Sequence, residues 1–549
     1  MFIVILTWIY MMIVSLILGA SFNKLWRSIT GFTMTTPEMY ILMGLAMLTV
    51  YAQFFSLFSG VGLGADAIIT VICLLLLIWA RGDLLCLFKT MRPRWWLVRL
   101  VIALAVLLML AICTAQSPWH YDTYLYHAQT IRWIEEYGVV PGLGNLHHRF
   151  AYNSSFLVLQ ALFSFKFLYG VSMHTLNGFV SAVFFLYCIF SIFKDNRIRI
   201  SDGLRLVLMT YILRSLPFIS SPNTDTFALT LTAYILIKWS EYLEDGNKEV
   251  EPYGWLCLMG IYACTLKLSS AFAMIILISP LYYLIANKQW KKLAYYILCS
   301  IVIILPFFWR NVMISGYILY PYAGIDIIPF IDWKMDAATI EYDRKEIMVW
   351  ARGTFDVAGT YNWPLSKWIP VWLDGIGSFY RFFFGAAIIS SAGLVMTNIY
   401  LIWKKEFSYC LLSTTSVVCL LGWLCTAPSV RFGEIYMWIP TCVLLLYWLG
   451  KWELAQRISS LIILIGICLC LYLGRIGISY FWSNALFNFN LSDYGDAACI
   501  PIQWEGITIY VPAQGDQAGY YYFPSTPYPD RLKSLELKGR TLRDGFRLK

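Results

Sequence analysis

Charge is scarce in this chain, and its scarcity sets the class. Only 13% of the 549 residues are Asp, Glu, Lys or Arg, 59% are hydrophobic, and mean hydropathy is +0.65. A soluble domain of ordinary usage carries about 25% charged residues, so a water-soluble globule is excluded. Apolar runs of the length a hydrocarbon core requires, roughly 17–25 residues, recur along the chain. They lack the alternation of barrel strands, so each must satisfy its backbone as a helix. Paired cysteine motifs are missing too: fourteen cysteines include no Cys-x-x-Cys and no zinc-type spacing. Nearly all sit in apolar runs as small hydrophobes, and only Cys499 lies in a clearly aqueous stretch, so no disulfide framework is indicated. The first run has no basic segment before it and no small-residue cleavage site after it, so it reads as a retained span rather than a signal peptide. No internal repeat or low-complexity tract is present. The formal net charge of +9 comes from Lys and Arg clustered beside apolar runs. That is the bias of cytoplasmic loops, and no nucleic-acid partner is expected.

Those basic clusters assign sides. Lys24 and Arg27 follow the run near 2–20 and place that loop inside, with the N-terminus outside. Runs near 39–58 and 66–80 cross out and back. The next loop, with Arg81, Lys89, Arg92, Arg94 and Arg99, is the most basic of the chain and is expected to be cytoplasmic. A span near 98–115 then leads outside. Residues 153–168 are apolar enough to cross, but a crossing there puts Lys194, Arg197, Arg199 and Arg205 outside. They are therefore expected to form an interfacial helix, with the fifth span at 171–193. Further spans are expected near 204–219, 226–240, 253–266, 270–287, 293–308, 382–402, 408–425, 435–449 and 458–478. As one helix, 255–287 would be about 50 Å long against a core of about 30 Å, so a turn is expected at Lys267–Ser270. The result is an all-α polytopic membrane protein with about fourteen transmembrane helices. It puts Lys288, Lys291, Lys292, Lys404, Lys405, Lys451 and Arg457 inside. The expected units are N-terminal spans (1–97), a main membrane domain (98–480) with outer loops 116–152 and 309–381, and a small mixed extracytoplasmic tail (481–549). Ile507–Val511 reads as a strand.

Four of the five histidines, His120, His127, His147 and His148, fall in the first outer loop. From Tyr121 the apolar positions recur at helical spacing through Ile134, and Gly138 and Pro141 end the pattern. That segment is too polar to span and is expected to lie along the membrane surface. Other polar residues fall on the same side: Arg214 and Asp225 at the second outer turn, Lys267 at the third, Arg310 and Asn311 opening the large loop, and Arg431. Ionisable groups at membrane depth are expensive, and function is their default reading. Lys267, Arg310, Arg431 and Arg214 suit a lipid phosphate, and Arg offers a bidentate fork. Each has a plainer reading. Asp122 can cap the helix that follows it. Lys267 and Arg214 can snorkel at helix ends, and the histidines can be interfacial hydrogen-bonders. Neither HxxxH nor HExxH spacing supports a metal, and no cofactor is expected.

Asp122-Thr-Tyr-Leu-Tyr-His-Ala-Gln…Gly138-Val-Val-Pro141 resembles the first-loop signature of the GT-C superfamily of membrane glycosyltransferases. Pro306-Phe-Phe-Trp-Arg-Asn311…Ser315-Gly-Tyr-Ile-Leu-Tyr-Pro321 resembles a second recurrent stretch of its lipid-phosphate-sugar-dependent members. This likeness covers roughly residues 98–450. The chain resembles more closely an uncharacterised family of bacterial multi-pass proteins linked to surface-polysaccharide synthesis, through Ala427-Pro-Ser-Val-Arg-Phe-Gly433 to Leu537-Lys-Gly-Arg-Thr-Leu-Arg-Asp-Gly-Phe546. Two features depart from the superfamily pattern: three spans precede the catalytic-loop span, and Asp122 stands where several members have an Asp-Glu pair.

The resemblance implies an inverting sugar transfer outside the bacterial cytoplasmic membrane, from a polyprenyl phosphate or diphosphate donor to a glycan or lipid-linked acceptor. Asp122 would be the general base. Lys267, Arg310, Arg431 and Arg214 would bind the donor phosphate, with His120, Tyr126, His127, Asp225 and Asn311 in support. Tyr361, Trp363 and Trp368 could stack on sugars or form an interfacial belt. Two alternatives stay open: a transporter or flippase of lipid-linked glycans, and an oligosaccharide polymerase or ligase. A transporter would place its polar groups near the midplane, often with repeat symmetry.

Overall fold

The apolar runs named above are largely helical in the computed structural model, which describes residues 1–90, 96–192 and 197–549. Arg92, Arg94 and Lys194, used above to set sides, lie outside the described residues. The fold is mostly helical with little strand. Among the described residues nine helices are long and apolar enough to cross a membrane, from Phe2–Thr30 to Val430–Lys451. A tenth is counted if Ser459–Leu473 and Arg475–Ala485, bent by 52°, are one span.

Four expected spans fall short of that test: Leu176–Ser191, Ile200–Ser215, Asp225–Glu244 and Val250–Leu266. Three are only 16 or 17 residues long; the fourth, Asp225–Glu244, is long enough but carries Lys238, Glu241 and Glu244, which its position allows. Every residue from Asp225 to Glu241 is buried, with helices Leu176–Ser191, Ile200–Ser215, Val250–Leu266 and Val430–Lys451 around it. A helix enclosed by other helices needs no lipid-facing apolar surface, and so tolerates ion pairs. Arg205 pairs there with Asp202 at 2.6 Å and Glu241 at 2.9 Å.

The turn expected at Lys267 is present. Val250–Leu266 ends there, Lys267 is extended (φ −155°), and a tighter helix, Leu268–Leu277, leads into Ile278–Ala286. Residues 153–168 fold as two short helices, Ser155–Leu162 and Lys166–Tyr169. All of Ser155–Leu162 is buried, against Pro37–Ser56, Ala128–Tyr137 and Val250–Leu266. Protein, rather than an open interface, covers it.

The tail contains two small antiparallel ladders. Cys499–Trp504 pairs with Ile507–Pro512, and Leu535–Leu537 pairs with Phe546–Leu548. Glu505 (φ 49°) and Gly506 (φ 78°) form the two-residue turn of the first, a conformation that suits strand twist. The tail packs on the segment 116–152. Ala518 and Gly519 donate their N–H groups to the Tyr124 carbonyl at 3.0 Å, and Phe546 N–H donates to Pro141 at 2.9 Å. Trp133, Phe150, Tyr317, Trp504 and Phe546 share one apolar cluster, so the segments 116–152 and 309–381 and the tail have a common core. Gly142 makes the close approach: at φ 63° its missing Cβ would lie 2.0 Å from the Phe546 carbonyl oxygen. We expect Gly142→Val to undock the tail, read as faster release of a C-terminal fragment in limited proteolysis. Unchanged protection would show that the approach is dispensable.

Candidate active site

Asp122 stands just before a π-helical turn, Thr123–His127, which continues into Ala128–Tyr137 and ends at Gly138 (φ 77°). Single π turns inside helices are frequent at functional sites. The Asp122 side chain forms no capping bond to this helix. Its carboxylate instead accepts from Arg431 Nη2 at 2.7 Å. The capping reading of Asp122 is therefore not the geometry observed.

Arg431 draws four segments together. Its Nη1 donates to His120 Nε2 at 2.8 Å, and its Nε lies 3.3 Å from Asp225 Oδ2. Lys267 pairs with Asp225 Oδ1. Phe432 lies beneath both cations, 3.8 Å from Lys267 Nζ and 4.7 Å from the Arg431 guanidinium carbon, measured to its ring centre. All four charged residues stand at helix ends or in loops, so they meet at one end of the bundle.

Local sequence explains the placement. Trp423 and Trp372 donate their indole N–H groups to the Ser429 and Pro428 carbonyls at 2.8 and 2.7 Å, fixing the turn that starts the Arg431 helix. Gly433 breaks that helix against the Trp423 ring. At Asp225, the Asn223 side chain accepts from the Thr226 N–H at 3.0 Å. Ser221 Oγ accepts from the N–H groups of Trp119 and His120, joining this turn to the first outer loop.

Two cations and two carboxylates balance if the histidines are neutral, and burial makes them so. It lowers His120 to about 4, with Arg431 adding to the effect, and lowers His127 to about 3. A neutral His120 accepts from Arg431 at Nε2. For Asp122, burial pushes upward, but Arg431, helped by His127 and His120, prevails and holds it at about 2. Burial also depresses Lys267. The sign of the pH dependence follows. Between pH 6.5 and about 4 the unfolded chain binds protons that folded His120 and His127 refuse, so stability falls on acidification. Below about 3.8 Asp122 acts in the same direction. We expect the thermal midpoint of the protein in nanodiscs to drop from pH 7 to pH 5, and the drop to shrink in His127→Asn. A flat profile in wild type would contradict this charge assignment.

Not every expected residue joins the cluster. Arg214 is held by Glu434 at 2.5 Å and by the Tyr380 hydroxyl at 2.6 Å. Arg310 is 2% exposed and donates to Asn153 Oδ1 at 3.1 Å and Ser56 Oγ at 2.5 Å. It has no carboxylate partner among the described residues. Ser154, next to Asn153, donates to the Leu266 carbonyl at 2.7 Å, so Arg310 lies a short bonded path from Lys267. Asn311 donates to the Ile318 carbonyl at 3.0 Å and shapes the turn after its helix. Tyr126 packs on His127, 4.3 Å between ring centres, and burial raises its phenol. Neither ring nitrogen of His127 has a hydrogen-bond partner among the described residues. Trp368 is buried beneath Arg352, which leaves it no free face, and the Tyr361 hydroxyl accepts from Arg344. Trp363 is covered in part by Lys367, 4.2 Å from its ring centre.

Sequence reasoning missed Phe432, Glu434, Ser221 and the tail's role. A cleft of about 670 Å³ opens beside the cluster, lined by Trp119, His120, Tyr124, Phe218 and Gln517 of the tail. Trp119 stacks on Phe218 at 4.8 Å and is 51% exposed. Aromatic spacing in the first outer loop was the available signal for this wall.

The chain belongs to the family described as Domain of unknown function (DUF8201), which matches residues 1–438. The matched part contains Asp122, Asp225, Lys267 and Arg431. No curated protein and no solved structure matches the chain.

Proposed function

We propose that this member of the family is a GT-C-type membrane glycosyltransferase. It moves a sugar from a polyprenyl-phosphate-linked donor to a glycan or lipid-linked acceptor on the extracytoplasmic side of the bacterial cytoplasmic membrane, in cell-surface polysaccharide synthesis. The observation that carries this reading is the Asp122–Arg431–Asp225–Lys267 cluster beside an aromatic cleft.

Asp122 takes the proton of the acceptor hydroxyl as that oxygen attacks the anomeric carbon, and the bond from that carbon to the phosphate oxygen breaks. The departing phosphate carries the electron pair and is stabilised by fixed cations. In the resting cluster Arg431 makes Asp122 a weak base, because effective bases titrate near the working pH. A donor phosphate that draws Arg431 away removes this restraint. Basicity then rises only when donor is present, which protects the lipid-linked sugar from idle turnover. Arg310, a buried guanidinium without a carboxylate, supplies the uncompensated positive charge an anion needs. The acceptor enters by the cleft, where Trp119 offers its ring to a sugar face. A transporter is less well supported, since these charges gather at one end of the bundle rather than at mid-depth.

The topology that serves this reaction has about fourteen spans, with Leu176–Ser191, Ile200–Ser215, Asp225–Glu244 and Val250–Leu266 crossing alongside the longer helices. Single cysteines at the exposed positions 136, 330 and 530 should then react with an impermeant reagent from outside, and one at the equally exposed position 404 should not, in a background lacking the exposed native cysteines. Labelling at 404 from outside would reverse the sidedness. The function is tested by surface-glycan composition in a strain without the protein, where one sugar or linkage should disappear. An unchanged glycan would refute the assignment.

A further inference from the structure

We propose that His148, Asp343 and Glu346 form a divalent transition-metal site that ties the first outer loop to the large outer loop. His148 starts a short helical turn, His148–Ala151, and the two carboxylates sit one turn apart on the helix Ala337–Ala351. One ligand atom from each of the three lies within 4.8 Å of the others.

The distances suit a shared ion better than hydrogen bonds. His148 Nε2 is 3.4 Å from Asp343 Oδ1 and 3.8 Å from Glu346 Oε2. An N–H···O bond runs about 2.7–3.2 Å. Two ligands each about 2.1 Å from a tetrahedral ion are about 3.4 Å apart. His148 is 2% exposed and Asp343 fully buried, yet both ring nitrogens of His148 and Asp343 Oδ1 lack a hydrogen-bond partner among the described residues. Buried polar atoms are normally satisfied. Asp343 Oδ2, by contrast, is engaged: it accepts from Tyr320 at 2.6 Å and from Tyr152. Those phenols orient the carboxylate with Oδ1 toward the imidazole, as outer partners of metal ligands do.

Arg149 faces the same carboxylates, 2.5 Å from Glu346 Oε2 and 3.5 Å from Asp343 Oδ1. Glu346 therefore offers an ion its other oxygen, Oε1, or shares Oε2. The carboxylates face Arg149 directly and the charge of Arg531 from the tail as well, so ligand geometry rather than net charge would hold the ion. One imidazole with two carboxylates selects Zn²⁺ or Mn²⁺ over Mg²⁺ and Ca²⁺, which favour all-oxygen shells. The ion links segments nearly two hundred positions apart, so no local spacing reveals it.

The test uses the full-length protein in nanodiscs, stripped with chelator and titrated with Zn²⁺, with bound metal measured after desalting. Wild type should keep about one equivalent and gain thermal stability. His148→Ala and Glu346→Gln should each weaken binding by at least about tenfold. If His148→Ala does not fold, Mn²⁺ loaded into wild type should show a directly bound nitrogen by pulsed electron paramagnetic resonance. Absence of retained zinc in wild type, unchanged retention in both folded variants, or Mn²⁺ without a nitrogen ligand would overturn the site. Sugar transfer plays no part in these readouts.

Discussion

Asp122→Asn should lower sugar transfer by about two orders of magnitude or more, while protein level and monodispersity stay near wild type. Asparagine keeps the size of the side chain and can still accept from Arg431, but it cannot take a proton. Because Asp122 caps no helix, the variant tests proton acceptance without a change in helix termination. Arg431 retains His120 and Asp225 as partners, so the cluster does not collapse. The Asp122 side chain is 18% exposed, which limits the loss of stability further. Asp225→Asn gives the contrast. It removes the carboxylate between Lys267 and Arg431, leaves two cations facing each other, and should cost stability as well as rate. Near-normal transfer by Asp122→Asn would reduce Asp122 to a counter-ion of Arg431.

The second large effect is expected at Arg310. A fixed guanidinium–phosphate contact is worth roughly 1.5–3 kcal/mol, about ten- to more than a hundredfold in binding or rate. Arg310→Gln should show that loss, and Arg310→Lys should recover only part of it, since a point charge does not reproduce the planar fork. A residue that merely filled space between Ser56 and Asn153 would favour the neutral variant, because a buried charge without a partner is itself a cost. The two roles therefore differ in transfer rather than in stability: Arg310→Gln keeps transfer if the arginine only fills space, and loses it if the arginine binds phosphate. Arg214 serves as the control. Held by Glu434 and Tyr380, it should affect stability more than donor affinity. Wild-type transfer in both Arg310 variants would remove Arg310 from the donor site and leave Arg431 and Lys267.

The features legible in the sequence are those governed by local chemistry. Apolar run length located the helices, the 255–287 excess located the break at Lys267, and Ile507–Val511 reappears in the strand Ile507–Pro512. Asp122, Asp225, Lys267 and Arg431 were each visible as costly ions near helix ends, and they meet. What was not legible depends on partners distant in the chain. Phe432 looks like any aromatic until two cations are seen on its ring. Glu434 reads as an isolated acid until Arg214 lies beside it. Ser155–Leu162 is apolar enough for an interface, but only the fold shows that other helices cover it. The tail reads as an appendage because its contacts with Tyr124, Gln129, Arg132 and Pro141 run from backbone to loop and leave no periodic trace.

The most direct measurement of the central claim is mass spectrometry of polyprenyl-phosphate-linked sugars from a strain lacking the protein, complemented with wild type or Asp122→Asn. An enzyme that consumes such a donor outside the membrane leaves it to accumulate when its base is removed. One lipid-linked sugar should be elevated in the empty and Asp122→Asn strains, accessible to external glycosidase, and restored to normal by wild type. Equal donor levels in all three strains, or an accumulated species reached only after the cells are opened, would contradict it.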